Sequence, residues 1–290
     1  MKNTNEDNIN FVYFGGEPIG VPVLNELEHA NLLPSLVICN PDRPVGRKQV
    51  LTAPPVKKWA LERNIPVLQP ENLKDREQLE ETLKEFDLSI VVAYNKIMPQ
   101  WLIDLPKHGT INVHPSLLPL LRGASPIRST ILQDMREHCG VTIMQMDEKM
   151  DHGPILVQRT MEIAKDNWPI SGNALDTALA HLGGTVLADI IPQWVVGTIK
   201  PQAQDHDNAT FCGKMEKADG EIKLTDDGYT NYLKFCAHES FPGSFFFHES
   251  DGRSIRIKIT DASYEKEKGF TPLRVIPEGK KEMDYQTFIT

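Results

Sequence analysis

Short, unbroken apolar runs and longer amphipathic stretches take turns along the first two-thirds of the chain. Asn10-Phe11-Val12-Tyr13-Phe14 is such a run and stops at Gly15-Gly16-Glu17-Pro18, after which residues 21–33 carry apolar side chains at helical spacing. The pattern predicts strand, turn, helix. It continues with strands at 35–39, 65–68, 88–93, 109–113 and 140–146, and with helices at 55–63, 76–86 and 125–134. Repeated βα units build a mostly parallel sheet covered on both faces, so residues 1–200 are expected to form a Rossmann-like α/β domain. A long helix at 172–196 closes it, with Leu175, Leu179, Leu182, Val186, Leu187 and Ile190 as its core positions.

Beyond the linker 198–204 the texture changes to short alternating segments separated by Gly-, Asp- and Phe-rich turns. In Ile255-Arg256-Ile257-Lys258-Ile259 the isoleucines share one strand face and the cations the other. A helix is predicted at 229–237, a hairpin at 244–259 around Asp251-Gly252, and a last strand at 273–276. Residues 201–290 are therefore read as a separate, small β-rich domain.

Composition narrows the function. The chain has 290 residues, 40% hydrophobic and 24% charged, which is the balance of a soluble globular protein of about two domains. Its formal net charge of -9 excludes non-specific electrostatic binding of nucleic acid, so an RNA partner must be met by a local basic patch. Cys39, Cys139, Cys212 and Cys236 lie far apart with no metal-ligand spacing, and read as buried, reduced thiols rather than a disulfide framework or a metal site. The polar start, residues 1–10, lacks an apolar signal core and no later run looks able to span a bilayer, so a cytoplasmic protein with no membrane association is expected. The spacing of Gly15, Gly16 and Gly20 is not that of a dinucleotide-binding turn.

The chemistry concentrates in three places. Asn112 and His114 stand two apart at the end of a strand, so an amide donor and a proton carrier share one face just before Pro115 and Pro119 stiffen the chain. Asp147, Glu148 and Asp151 follow the strand 140–146, beyond the strand carboxyl ends where α/β sheets hold ligands. Asp151 is the candidate partner of His114; Asp147 and Glu148 read as solvated side chains. Arg122-Gly123-Ala124-Ser125-Pro126-Ile127 opens a helix, with Ser125 as N-cap and Pro126 in the first helical position. His108, His138 and His152 read as surface histidines.

Together, Asn112-x-His114 with Ser116-Leu117-Leu118-Pro119, Arg122-Gly123-Ala124-x-Pro126-Ile127, and Gly140-Val141-Thr142 through Met146-Asp147 to Asp151-x-Gly153 resemble the signature of folate-dependent formyltransferases. Pro41-Asp42-Arg43-Pro44-Val45-Gly46-Arg47 and the run 275–283 extend the likeness over nearly the whole chain, most closely to the branch that formylates methionyl initiator tRNA in translation initiation. The resemblance implies that 10-formyltetrahydrofolate gives its formyl group to the α-amine of methionyl initiator tRNA, with no metal. It implies Asn112, His114 and Asp151 as catalytic residues. Folate would lie against Lys96, Met98, Ser116, Leu117, Leu118, Pro119, Met146 and Asp147, and the basic loop Arg43, Arg47, Lys48 would meet the acceptor. It also implies an OB-like carboxy-terminal domain, here shortened between residues 259 and 273; a monomer is expected. A sugar-nucleotide amine is the alternative acceptor. A silent folate- or RNA-binding protein on the same scaffold is a third reading, opposed by the intact Asn112, His114 and Asp151.

Overall fold

The structure is a computed structural model that describes residues 9–46, 48–250 and 252–290. In chain order the strands are β1 (Phe11–Gly15), β2 (Leu36–Ile38), β3 (Arg43–Val45), β4 (Val50–Thr52), β5 (Val67–Leu68), β6 (Leu88–Val92), β7 (Thr110–His114), β8 (Arg122–Gly123), β9 (Gly140–Gln145) and β10 (Ile155–Thr160). They continue as β11 (Phe211–Cys212), β12 (Phe245–Ser250), β13 (Arg253–Glu265), β14 (Gly269–Pro277) and β15 (Met283–Asp284). The helices are α1 (Gly20–His29), α2 (Pro55–Glu62), α3 (Arg76–Leu83), α4 (Gln100–Ile103), α5 (Pro126–Leu132), α6 (Gly172–Val195), α7 (Gly228–Ala237) and α8 (Tyr285–Ile289).

These elements group into two compact units. One holds the chain up to Arg122, Gly140–Met161 and Thr177–Thr210; the other holds Gly123–Cys139, Glu162–Asp176 and Phe211–Thr290. Residues 201–210 thus stay with the first unit, and two segments from before residue 200 belong to the second.

The first unit is built on a seven-stranded sheet in the order β10-β9-β7-β6-β1-β2-β5. β5, β2, β1, β6 and β7 run parallel, whereas β9 is antiparallel to β7 and β10 to β9. β1 and β6 are buried at every position, as expected of apolar runs covered on both faces. On one face Val12, Phe14, Ile38 and Val91 pack with Leu79 and Leu83 of α3 and Leu102 and Ile103 of α4. On the other, a Cβ added at Gly183 of α6 would stand 2.7 Å from Val113 of β7, and one at Gly184 would stand 2.7 Å from Glu26 of α1. This glycine pair lets α6 approach both.

Leu175, Leu179, Val186, Leu187 and Ile190 of α6 are buried, and Leu182 is half-buried. With 24 residues, α6 is long and apolar enough by length and composition to cross a membrane, contrary to the expectation that no segment is; half of that stretch is buried inside the protein. The hairpin β3–β4, the short α4 and the strand β10 were not foreseen from the pattern. Each is too short, or too polar, to register as a period.

In the second unit a four-stranded antiparallel sheet runs β12-β13-β14-β15. The isoleucine face is as expected: Ile257 and Ile259 are buried in a core with Phe246, Ile222 and Val275, while Arg256 lies 3.8 Å over the Phe245 ring on the opposite face. Residues 259–273 form most of a longer hairpin, because β13 continues to Glu265 and β14 begins at Gly269. The predicted turn residue Asp251 lies outside the described residues. Pro126 takes the first helical position of α5 as expected, but the Ser125 side chain makes no capping hydrogen bond. α5 is tied instead by Arg128, whose guanidinium grips Asp176 through two 2.7 Å hydrogen bonds.

Candidate active site

β7 sits between β6 and β9, with Asn112 paired to Val91 and Met144, and His114 paired to Thr142. Because Val113 points to α6, alternation turns Asn112 and His114 to the opposite face together. His114 is 4% exposed, and Asn112 is half-buried. His114 Nε2 lies 3.0 Å from the backbone oxygen of Leu121. A carbonyl can only accept, so Nε2 carries the hydrogen and the tautomer is fixed by the chain itself. Nδ1 then faces Asp151, 3.6 Å from its Oδ1. That is ion-pair distance and beyond a direct hydrogen bond, so the direct partner that sets the tautomer is the Leu121 carbonyl.

Asp151 reaches His114 by an indirect route. β9 is antiparallel to β7, so its carboxyl end lies beside Ile111 and Thr110, at the amino end of β7: Gln145 pairs with Ile111, and the Met146 amide donates to Thr110 at 2.8 Å. The loop after Met146 therefore does not leave from the carboxyl end of β7, as expected, and must fold back to reach His114. Three features turn it. The Lys149 amide donates to Asp147 Oδ1 at 2.9 Å, Asp151 adopts φ 49°, and Gly153 lies where a Cβ would stand 2.0 Å from the Gln145 oxygen. A left-handed backbone at a non-glycine residue costs energy and is kept where surroundings dictate it. Here the Gln204 amide donates to the oxygens of Asp151, at 2.9 Å, and Gly153, at 2.7 Å.

The turn between His114 and Leu121 is held from β9. Thr142, fully buried, donates from Oγ1 to the Ser116 oxygen at 2.7 Å and accepts the Leu118 amide at 3.0 Å. Gln158 of β10 donates to both Thr142 Oγ1, at 2.9 Å, and the Leu118 oxygen, at 2.7 Å. Ser116 Oγ donates to the Leu120 oxygen at 2.6 Å, and the Leu118–Pro119 peptide is cis. Leu121 itself has φ 58°, which aims its carbonyl at His114. The Asn112 amide and the His114 imidazole thus share one face of β7, and the Asp151 carboxylate, on the loop after β9, lies at ion-pair distance from the imidazole.

The model of the Formyl transferase family matches residues 8–190, a span that contains β7, the turn after it and the Asp151 loop. The chain belongs to the formyl transferase family. It is 35% identical over 303 residues to the methionyl-tRNA formyltransferase of Listeria innocua, covering 96% of this chain and 94% of that one. Among solved structures the fold is similar to a sugar N-formyltransferase from Shewanella, with a TM-score of 0.63, 17% identity, and 89% and 100% of the two chains covered. It is also similar to a methionyl-tRNA formyltransferase from Clostridium thermocellum, with a TM-score of 0.57, 14% identity, and 95% and 99% covered.

The other residues singled out from the family resemblance are dispersed in their roles. Met98 is buried in the core beside α3 and α4, and Met146 packs against the same cluster. The Lys96 ammonium donates to the backbone oxygens of Pro70 and Glu71, and burial draws its pKa below the ordinary lysine value. Asp147 is not merely solvated: its Oδ2 takes the Nδ1 hydrogen of His152 at 2.6 Å. His152 is half-buried and stacks on His206 with ring centroids 4.1 Å apart. The basic loop is a hairpin, with Arg43 opposite Thr52 and its strands exposed. Asp42 anchors its base to Lys57 at 2.8 Å and to Gln69 at 2.8 Å, with a pKa lowered mainly by the Lys57 hydrogen bond. Arg43 and Lys48 are exposed on this hairpin, and Arg47 lies outside the described residues. All four cysteines are buried, and burial pushes Cys39, Cys139 and Cys236 up to about 11, so these three are poor nucleophiles.

Sequence reasoning missed Leu121, Gln158 and Gln204, and gave Thr142 no role beyond its place in a motif. Leu121 acts through a carbonyl that every residue possesses. Gln204 sits in a linker with no period to mark it, and its partner Arg122 stands in a motif that reads only as the start of a helix.

Proposed function

We propose that the protein transfers the formyl group of 10-formyltetrahydrofolate to the α-amine of methionyl initiator tRNA. The observation that supports it most is His114, anchored through Nε2 with Nδ1 toward Asp151, on the strand face it shares with Asn112. This donor set fits a formyl carbonyl: one group that only donates at its NH₂, one that exchanges a proton, one that balances charge. The folate supplies an activated formyl carbon on a nitrogen that can leave. Asn112 donates to the formyl oxygen as negative charge grows there, a contribution whose loss typically costs about 10²–10³ in turnover. His114 Nδ1 takes the proton that the attacking amine sheds and returns one to the departing nitrogen, so the new C–N bond forms and the old one breaks with no net change in protons. Asp151 balances the imidazolium formed in between. Such general acid–base help is worth about 10²–10⁴.

The acceptor is assigned on the methionyl-tRNA relatives, which this chain matches over nearly its full length, and on the exposed Arg43 and Lys48 of the β3–β4 hairpin. Two phosphate-seeking cations on a ribbon anchored by Asp42 suit a nucleic acid backbone. The Ser116–Pro119 turn and the backbone of 146–151 would hold the folate, and the enzyme acts as a monomer. The deciding experiment incubates the protein and 10-formyltetrahydrofolate with charged initiator tRNA, and separately with an amino-sugar nucleotide. Formyl-methionyl-tRNA is the expected product; formylation of the sugar alone would transfer the assignment to the other acceptor.

A further inference from the structure

Two sides of His114 are held by one short stretch of chain that follows α6. Gln204 is 5% exposed and spends both amide hydrogens on the oxygens of Asp151 and Gly153. Its Oε1 accepts from Arg122 at 2.6 Å and 3.1 Å. A guanidinium only donates and carbonyls only accept, so the amide of Gln204 can stand in one orientation only. Arg122 is itself 3% exposed and also donates to His206 Nδ1 at 2.8 Å. Six residues on, Thr210 Oγ1 accepts the Leu121 amide at 2.8 Å, and its own amide donates to the Pro119 oxygen at 3.2 Å. Leu121 is the residue whose carbonyl fixes the His114 tautomer. The stretch from Gln204 to Thr210 therefore touches both partners of His114.

We propose that this stretch is a brace that sets the His114–Asp151 geometry, and that Gln204 is its positioning residue, acting through the backbone of Asp151. The inference rests on the catalytic role given above to Asp151. Without the two carbonyl contacts, the left-handed backbone of Asp151 loses the support it takes from Gln204, and the loop shifts relative to His114. A displacement of about 1 Å in a catalytic group can cost about 10²-fold in rate.

Gln204→Glu isolates the effect, because a carboxylate keeps the pairing to Arg122 but turns an acceptor toward both carbonyls. The expected result is a fall of about 10²-fold in kcat that exceeds any rise in KM for the folate, which the same loop holds, with KM for the acceptor unchanged and a shifted pH–rate profile. Gln204→Met, which keeps the length and donates nothing, is the second variant and should behave alike. In the Asp151→Ala background either change should cost nothing further, since residues that act through one another are not additive. Full activity in both single variants, or a loss that simply multiplies with that of Asp151→Ala, overturns the brace. Normal activity of Asp151→Ala alone would instead remove the role of Asp151, which is a separate failure.

Discussion

Thr142 accepts the Leu118 amide through the same hydroxyl that donates to Ser116, so one side chain of β9 closes the turn beside His114. Valine has the same shape and no hydroxyl. Thr142→Val leaves the Leu118 amide and the Ser116 oxygen unsatisfied in a buried site, at about 1–3 kcal/mol each. A drop in thermal unfolding midpoint together with weakened folate binding is expected. An unaltered midpoint would mean that the turn holds itself.

Gly153 has no room for a methyl group, since its Cβ would meet the Gln145 oxygen at 2.0 Å. The obstacle is backbone and cannot swing aside. Gly153→Ala should cost about 1–3 kcal/mol of stability. It should also lower kcat far more than it raises KM, because the loop that carries Asp151 must shift. Steady-state kinetics and chemical denaturation on the same sample test both parts.

His114→Ala should lower kcat by about 10²–10⁴ and Asn112→Ala by about 10²–10³, with folate affinity retained in each. Single-turnover rates and equilibrium folate titration separate the two effects. Near-normal turnover of His114→Ala would dismiss its assigned part.

Neither ring nitrogen of His238 has a hydrogen-bond partner among the described residues, and burial holds its imidazole at about 4 rather than the ordinary 6.5. Between those values the unfolded chain binds a proton that the native fold refuses. Stability is therefore full above about pH 6.5 and is lost as pH falls toward 4, by up to about 3 kcal/mol. His238→Asn should flatten the slope of unfolding free energy against pH in that window. A slope equal to that of the parent protein assigns the loss to other groups.

The hairpin cations Arg43 and Lys48 are expected to contact phosphates. Replacing both with alanine should weaken tRNA binding and reduce the slope of log affinity against log salt by roughly 1–2. Folate affinity should not move. A salt slope that stays put would leave these cations to solvent.

Much of the fold was legible in the chain because burial writes itself as a period. The apolar runs of β1 and β6 and the helical spacing of α6 survive in the sequence since each residue meets the core through its own side chain. The same holds for Asn112 and His114, whose common face follows from strand alternation alone. Short, exposed or polar elements such as β3, β4 and α4 bury too little to leave such a trace.

What the sequence by itself determined was the inventory: an α/β first unit, a β-rich second, and three polar groups near strand ends. Only the tertiary structure decided how those groups meet. The antiparallel entry of β9 sends the Asp151 loop out at the far end of β7, and the loop returns through contacts to Gln204 that lie 53 residues away along the chain. The tautomer of His114 depends on the Leu121 carbonyl, and a backbone oxygen has no identity in the sequence. Contacts made by main-chain atoms, and by side chains distant in sequence, are set by how elements pack, so neither period nor motif could have announced them.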